Sequence, residues 1–118
     1  MNNKKIGYLG EKIAKFYLQI NNFEILKINF LCKFGEIDII AQKGEFIHFI
    51  EVKTRTNNLI EAREAINYTK QEHILKTAEY YLYKNRIQNK KIQFDAIEVY
   101  ILKEEQIKIN YIKSIIEK

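Results

Sequence analysis

A single α/β domain is the architecture this chain predicts, with elements in the order α-β-β-β-α-β-β and a small mixed sheet flanked by helices. Three observations lead there. Apolar residues recur at three- and four-residue steps in two stretches, residues 4–21 and 70–84. Short runs rich in Ile, Phe and Val lie between and after them, as strands require. The 118 residues, 47% hydrophobic and 30% charged, suffice for one core over residues 1–118 and lack the signature of disorder.

In the first helix Ile6, Leu9, Ile13, Tyr17 and Ile20 form the expected apolar stripe. Lys5, Glu11, Lys12 and Lys15 lie away from it, and Asn21-Asn22 gives a stop. Residues 23–31 read as the first strand. Residues 36–42 and 46–54 read as the second and third, apolar on both faces as central strands are. A loop follows at 56–58, then a short helical turn at 60–67. In the second helix Thr69 and Glu72 suit a capping box, and Ile74, Leu75, Ala78, Tyr81 and Leu82 form the buried stripe. A basic turn at 84–91 leads to a fourth strand at 91–102 and a fifth, at an edge, at 106–111.

Composition narrows the function classes. One cysteine, Cys32, excludes an internal disulfide and a cysteine-rich zinc site, and fits a reducing cytoplasm. The N-terminus lacks a signal h-region, and no apolar run approaches the roughly 20 residues of a membrane span. The expectation is a cytoplasmic protein with no membrane partner. A net charge of +5 suggests a polyanion, although an AT-rich coding bias would yield the same Lys-, Ile- and Asn-rich composition.

Residues 35–55 are the unusual stretch. Glu36, Asp38, Glu51 and Lys53 sit inside two apolar runs, where unpaired charge costs several kcal/mol. Glu51 and Lys53 share a strand face because side chains alternate. Asp38 joins them only if the hairpin loop has an even number of residues. A two-residue loop at Lys43-Gly44, or a four-residue loop at 42–45, pairs Asp38 with Phe49 and Glu36 with Glu51; a three-residue loop separates Asp38 from Glu51. In the even register two diagonal carboxylates can hold one hard cation, Mg²⁺ or Mn²⁺, with positions left for water and phosphate oxygens. Lys53 could orient that water or stabilise the charge that develops on phosphorus. The plainer alternative is a strand-end ion pair with Asp38 in solvent.

Asp38 followed by Glu51-Val52-Lys53 resembles the Asp…(Asp/Glu)-x-Lys motif of the restriction-endonuclease-like superfamily, which includes Holliday-junction resolvases. More narrowly, Gly10-Glu11, Gly35-Glu36-Ile37-Asp38-Ile39-Ile40-Ala41 and Phe49-Ile50-Glu51-Val52-Lys53-Thr54-Arg55 resemble the YraN family of predicted endonucleases. Glu64-Ala65-Ile66, Lys70 and Phe94-Asp95 continue the match. The resemblance implies a restriction-endonuclease-like fold, with Asp38 and Glu51 as metal ligands and Lys53 as the catalytic lysine. It also implies that Glu11 joins them as a further acid, although the helical wheel sets Glu11 almost opposite the apolar stripe. The segment after Arg55 departs from the family in lacking Gly and Pro.

Arg55, continuing the third strand, and Lys70, opening the second helix, are candidate phosphate contacts, each against a solvated alternative. The basic turn at 84–91 could track a nucleic-acid backbone. His48 faces away from Glu51 and reads as a core residue, His73 as a helix-flank residue. Tyr80, Tyr81 and Tyr83 read as packing residues, and Asp95 and Glu36 as structural support. The expected function is a Mg²⁺- or Mn²⁺-dependent nuclease acting on nucleic acid, DNA foremost, including branched DNA, with a homodimer suited to cutting two strands. Its rivals are a nucleic-acid-binding module that does not cut and an interaction scaffold. DNA against RNA, and endonuclease against exonuclease action, stay open.

Overall fold

The computed structural model describes residues 3–56 and 68–116. The expected helical turn at 60–67, with Glu64-Ala65-Ile66, lies outside them. Within the described residues two helices and five strands follow in the predicted order: α1 (Asn3–Ile20), β1 (Glu24–Cys32), β2 (Gly35–Lys43), β3 (Phe46–Thr56), α2 (Tyr68–Lys84), β4 (Lys91–Ile101) and β5 (Ile107–Ile116). A 3₁₀ turn, Lys103–Glu105, joins β4 to β5.

The strands form one mixed sheet in the order β1-β2-β3-β4-β5, with only β3 and β4 parallel. A parallel neighbour needs a crossover connection, and α2 lies within that connection. Each face of the sheet has its own core. Ala14 and Leu18 of α1 pack with Ile39, Ala41, Ile50, Ile97 and Val99. Ala78 and Tyr81 of α2 pack with Phe30, Ile40, Ile47, Phe49 and Phe94 on the other face. This is the α/β, restriction-endonuclease-like layout expected, with a small mixed sheet flanked by helices. Among the described residues no helix is long and apolar enough to cross a membrane.

Three local expectations are corrected. The face of α1 on the sheet runs through Gly10, Ala14 and Leu18, while Ile20 of the predicted stripe is 63% exposed. The helix rolls onto its smallest residues because a Cβ on Gly10 would fall 1.9 Å from Thr54 Oγ1, so only glycine permits so close an approach. Thr69 lies inside α2 and so does not cap it, since the helix already includes Tyr68. β5 continues to Ile116, well past residue 111, because Ser114 adopts a left-handed φ of 56° and gives its backbone N–H to Asp95.

Candidate active site

The hairpin between β2 and β3 turns through two residues, Gly44 and Glu45, with Lys43 opposite Phe46. Gly44 takes a φ of 60°, which favours glycine. The loop is even-numbered, as the functional register requires, but it falls one residue later than Lys43-Gly44. Each pairing therefore shifts by two. Phe49 stands opposite Ile40, not Asp38, and Glu36 pairs with Leu31 of β1 instead of Glu51. A shift of two preserves the face, so Asp38 and Glu51 keep their relation.

The ladder stops at Ile39 opposite Ile50. The next step of the same register sets Asp38 against Glu51, and there the two strands part. Asp38 Oδ2 accepts the Val52 backbone N–H at 2.8 Å, so a carboxylate replaces the strand hydrogen bond and closes the fork. Ile37 packs on the α2 side, and Asp38 is thereby turned into the fork rather than squarely onto one face. Beyond Ile50, β4 is the one strand among the described residues that pairs with β3, as far as Thr56 with Ile101. The freed edge of β3 is where the site opens.

Glu51 is 18% exposed, and its Oε1 lies 3.3 Å from Lys53 Nζ and 3.0 Å from Lys70 Nζ. Lys70 comes from the first turn of α2, so the crossover brings it back over the strand that precedes it. A cavity of about 270 Å³ is lined by Asp38, Glu51, Lys70, His73, Ile74 and Phe94, among others. A neighbouring cleft, about 280 Å³, is lined by Glu11, Lys53, Thr54 and Arg55. The six residues singled out in the sequence thus divide into two sets of three, and the Glu51–Lys53 ion pair joins the sets. Glu11 reaches this region because α1 is rolled: it is three residues before Ala14 and flanks the buried face. His73, read as a flank residue, lines the cavity one turn after Lys70; that i, i+3 spacing was its only signal.

Electrostatics mark Asp38 out. Burial pushes its carboxyl up to about 6; the Val52 N–H opposes the rise, while Glu11, Glu51 and Glu36 add to it. An acid held beside three others favours either a proton or a cation. Among the described residues no group of three His, Cys, Asp or Glu side chains is gathered to hold a metal. Two carboxylates beside an open cavity are instead what Mg²⁺ uses, with water and phosphate completing its shell. The donor set fits a hard divalent cation and does not fit a closed zinc site.

His48 is buried as expected, on the opposite side of β3 from Glu51. Its Nδ1 lies 2.7 Å from Asp95 Oδ2. Asp95 also receives Tyr111 Oη–H, Gln93 Nε2 at 2.8 Å and Ser114 N–H at 2.9 Å. Burial raises its pKa, but these bonds, led by that from His48, outweigh burial and hold its carboxyl below the usual range.

A profile of the uncharacterised protein family UPF0102, the YraN family, matches residues 10–99, which include every one of the six site residues. A UPF0102 protein of Caldicellulosiruptor saccharolyticus is 43% identical over 116 residues, 97% of this chain and 98% of its own. Another, from Clostridium botulinum, is 52% identical over 99 residues, covering 82% of this chain and 80% of its own. A third, from Acetivibrio thermocellus, is 47% identical over 105 residues, 86% and 81% of the two chains.

Proposed function

The chain belongs to the uncharacterised protein family UPF0102, and from that premise we propose that it is a metal-dependent nuclease that hydrolyses phosphodiester bonds in nucleic acid, with DNA, branched forms included, as the foremost substrate. The observation that carries the proposal is the fork itself. Asp38 closes it under a raised pKa, and Glu51 stands across it with two lysine ammonium groups on one carboxylate oxygen. A stability role alone gives no reason to gather acids around a half-buried aspartate, because each added charge raises the cost of ionising it.

Asp38 and Glu51 would hold Mg²⁺ or Mn²⁺, with Glu11 bordering them. The bound ion would supply Lewis acidity at a phosphoryl oxygen and a water acidified towards neutral pH. Lys53 orients the attacking water and stabilises the negative charge that grows on the oxygens around phosphorus. Arg55, in the adjoining cleft, and Lys70, at the cavity rim, are placed to meet the flanking phosphates. Attack forms one P–O bond and breaks another, and the departing sugar oxygen takes up a proton.

The test is incubation of the purified chain with branched, single-stranded and duplex DNA in Mg²⁺ or Mn²⁺. Cleavage is expected with metal and is lost in EDTA, in Asp38→Ala and in Glu51→Ala. Cleavage that persists in both variants would place the chemistry elsewhere. A second reading, a module that binds nucleic acid without cutting, draws support from Lys70 occupying the Glu51 carboxylate. It predicts salt-sensitive binding, no product, and no shift in Tm on adding Mg²⁺.

A further inference from the structure

The cavity beside the fork has an apolar floor that the proposed chemistry does not use. Ile37, Phe49, Ile74, Phe94 and Ile115 line it, one residue each from β2, β3, α2, β4 and β5. Its origin is the parting of the strands. β2 leaves β3 beyond Ile39 and Ile50, while α2 stays on β2, with His73 and Thr77 close against Gly35. A wedge between the helix and the two strands is thereby left open. Protein interiors are close-packed, and atoms that line a void lose dispersion contacts. An apolar-floored space of about 270 Å³ is therefore a cost to the fold that a bound apolar group would remove.

We propose that this cavity is a pocket for one unstacked nucleobase of the nucleic acid bound at the fork. The proposal rests on the nuclease reading for the class of ligand, not for the chemistry. Size permits it: a cavity of about 150 Å³ lined by Leu, Ile and Phe holds benzene, so this larger space admits a purine or a pyrimidine. The floor is aromatic. Phe49 and Phe94 stack there, with ring centres 5.5 Å apart and planes inclined by 25°, and such surfaces take flat π-bearing ligands. The rim is polar, formed by Asp38, Glu51, Lys70 and His73. A nucleotide has the same division, an aromatic body with an anionic end. Lys70, whose Nζ stands 3.0 Å from Glu51 Oε1, is placed to meet the phosphate of the nucleotide whose base enters. His73, exposed on the first turns of α2, offers its ring nitrogens to the base edge. A base must leave its stack to enter, which costs least where the strand is already unpaired. The pocket therefore favours single strands, and the unpaired bases of branched DNA, over intact duplex.

The experiment is an NMR titration of the full chain, labelled at its isoleucine methyls, in EDTA. The probes are deoxyadenosine monophosphate, thymidine monophosphate and deoxyribose 5-phosphate, which carries the phosphate without a base. The Ile37, Ile74 and Ile115 methyl signals are expected to shift with both nucleotides. The sugar phosphate is expected to bind more weakly by about tenfold or more. Ile74→Trp fills the pocket from α2 and Ile115→Trp fills it from β5. Each is expected to abolish the base-dependent shifts, whereas Tyr83→Ala, at an exposed position of α2, retains them. Circular dichroism checks that the filled variants fold, and the wild-type titration decides the matter without them. Equal binding of sugar phosphate and nucleotides, or shifts confined to residues outside the cavity, would overturn the proposal. So would octanoate shifting the same methyls as strongly as the nucleotides do, because the cavity would then be an acyl pocket. Base-dependent shifts with no DNA cleaved in Mg²⁺ or Mn²⁺ uphold the pocket and remove the nuclease reading. Cleavage without base-dependent shifts removes the pocket alone.

Discussion

Two aspartates, Asp38 and Asp95, sit within the sheet on neighbouring parts of the same β3 scaffold, and their surroundings are opposite. Asp38 has one backbone donor and three acids near it, and its carboxyl is raised to about 6. Asp95 is fully buried with four donors around it, and its carboxyl is lowered. A buried carboxylate that contributes to stability is surrounded by donors. One poised for a ligand is left under-supplied. On the proposed reading the chain separates anchoring from chemistry: the Asp95 cluster ties together β3, β4 and the tail of β5, and the Asp38 fork lies where β2 and β3 part.

The largest effect is expected from breaking the closed cluster. Asp95→Ala leaves His48, Tyr111 and the Ser114 N–H without their acceptor and should cost about 3–5 kcal/mol of stability by urea unfolding. The sign in pH follows from the lowered pKa. The carboxylate's contribution is present above its unfolded value near 4 and is lost as pH falls through the folded value, so wild type and variant should converge in acid.

Asp38→Asn should move stability the other way. Folded Asp38 keeps its proton to about pH 6, whereas the unfolded side chain releases it near 4. The folded state thus binds more protons between those values, and wild-type stability falls as pH rises through that window. In EDTA at pH 8 the asparagine variant should be more stable by up to about 3 kcal/mol, an advantage that disappears below pH 4. A variant that is destabilised at pH 8 would make Asp38 a structural residue like Asp95 and erase the contrast.

Gly10→Ala is expected to have a smaller effect. The new methyl would clash with Thr54 and cost about 1–3 kcal/mol through overpacking. Lifting α1 also withdraws Glu11 from Asp38, so the Asp38 pKa, followed by NMR, should fall towards its ordinary value. An unchanged pKa would mean that Glu11 does not depend on this close approach.

These contrasts also explain what could be read in advance. Acids at positions 38 and 51 within apolar runs marked the site because few sequences bury charge without cause. His48 read correctly as a core residue from strand alternation alone. Its partner Asp95 was read only as support, because the four donors that converge on it come from β3, β4 and β5 and have no common spacing. His73 and Lys70 reach the cavity only through the crossover, which sequence periodicity does not describe.

By itself the sequence determined the order of elements, the acid-acid-lysine set and the even parity of the β2–β3 loop, since a period of two leaves its mark in any strand. It did not determine which even register forms. The position of the turn decided that, setting Asp38 against Glu51 where the strands part, rather than against Phe49. Nor did it reveal the roll of α1. Hydrophobicity favoured Leu9, Ile13 and Ile20, but the close approach of Gly10 to Thr54, with Ala14 buried in the core beneath α1, favoured the residues small enough to let the helix approach. That choice brings Glu11 to the cleft beside the fork and turns Phe16 and Ile20 outward, because the depth of contact between a helix and a sheet is a property of both surfaces together.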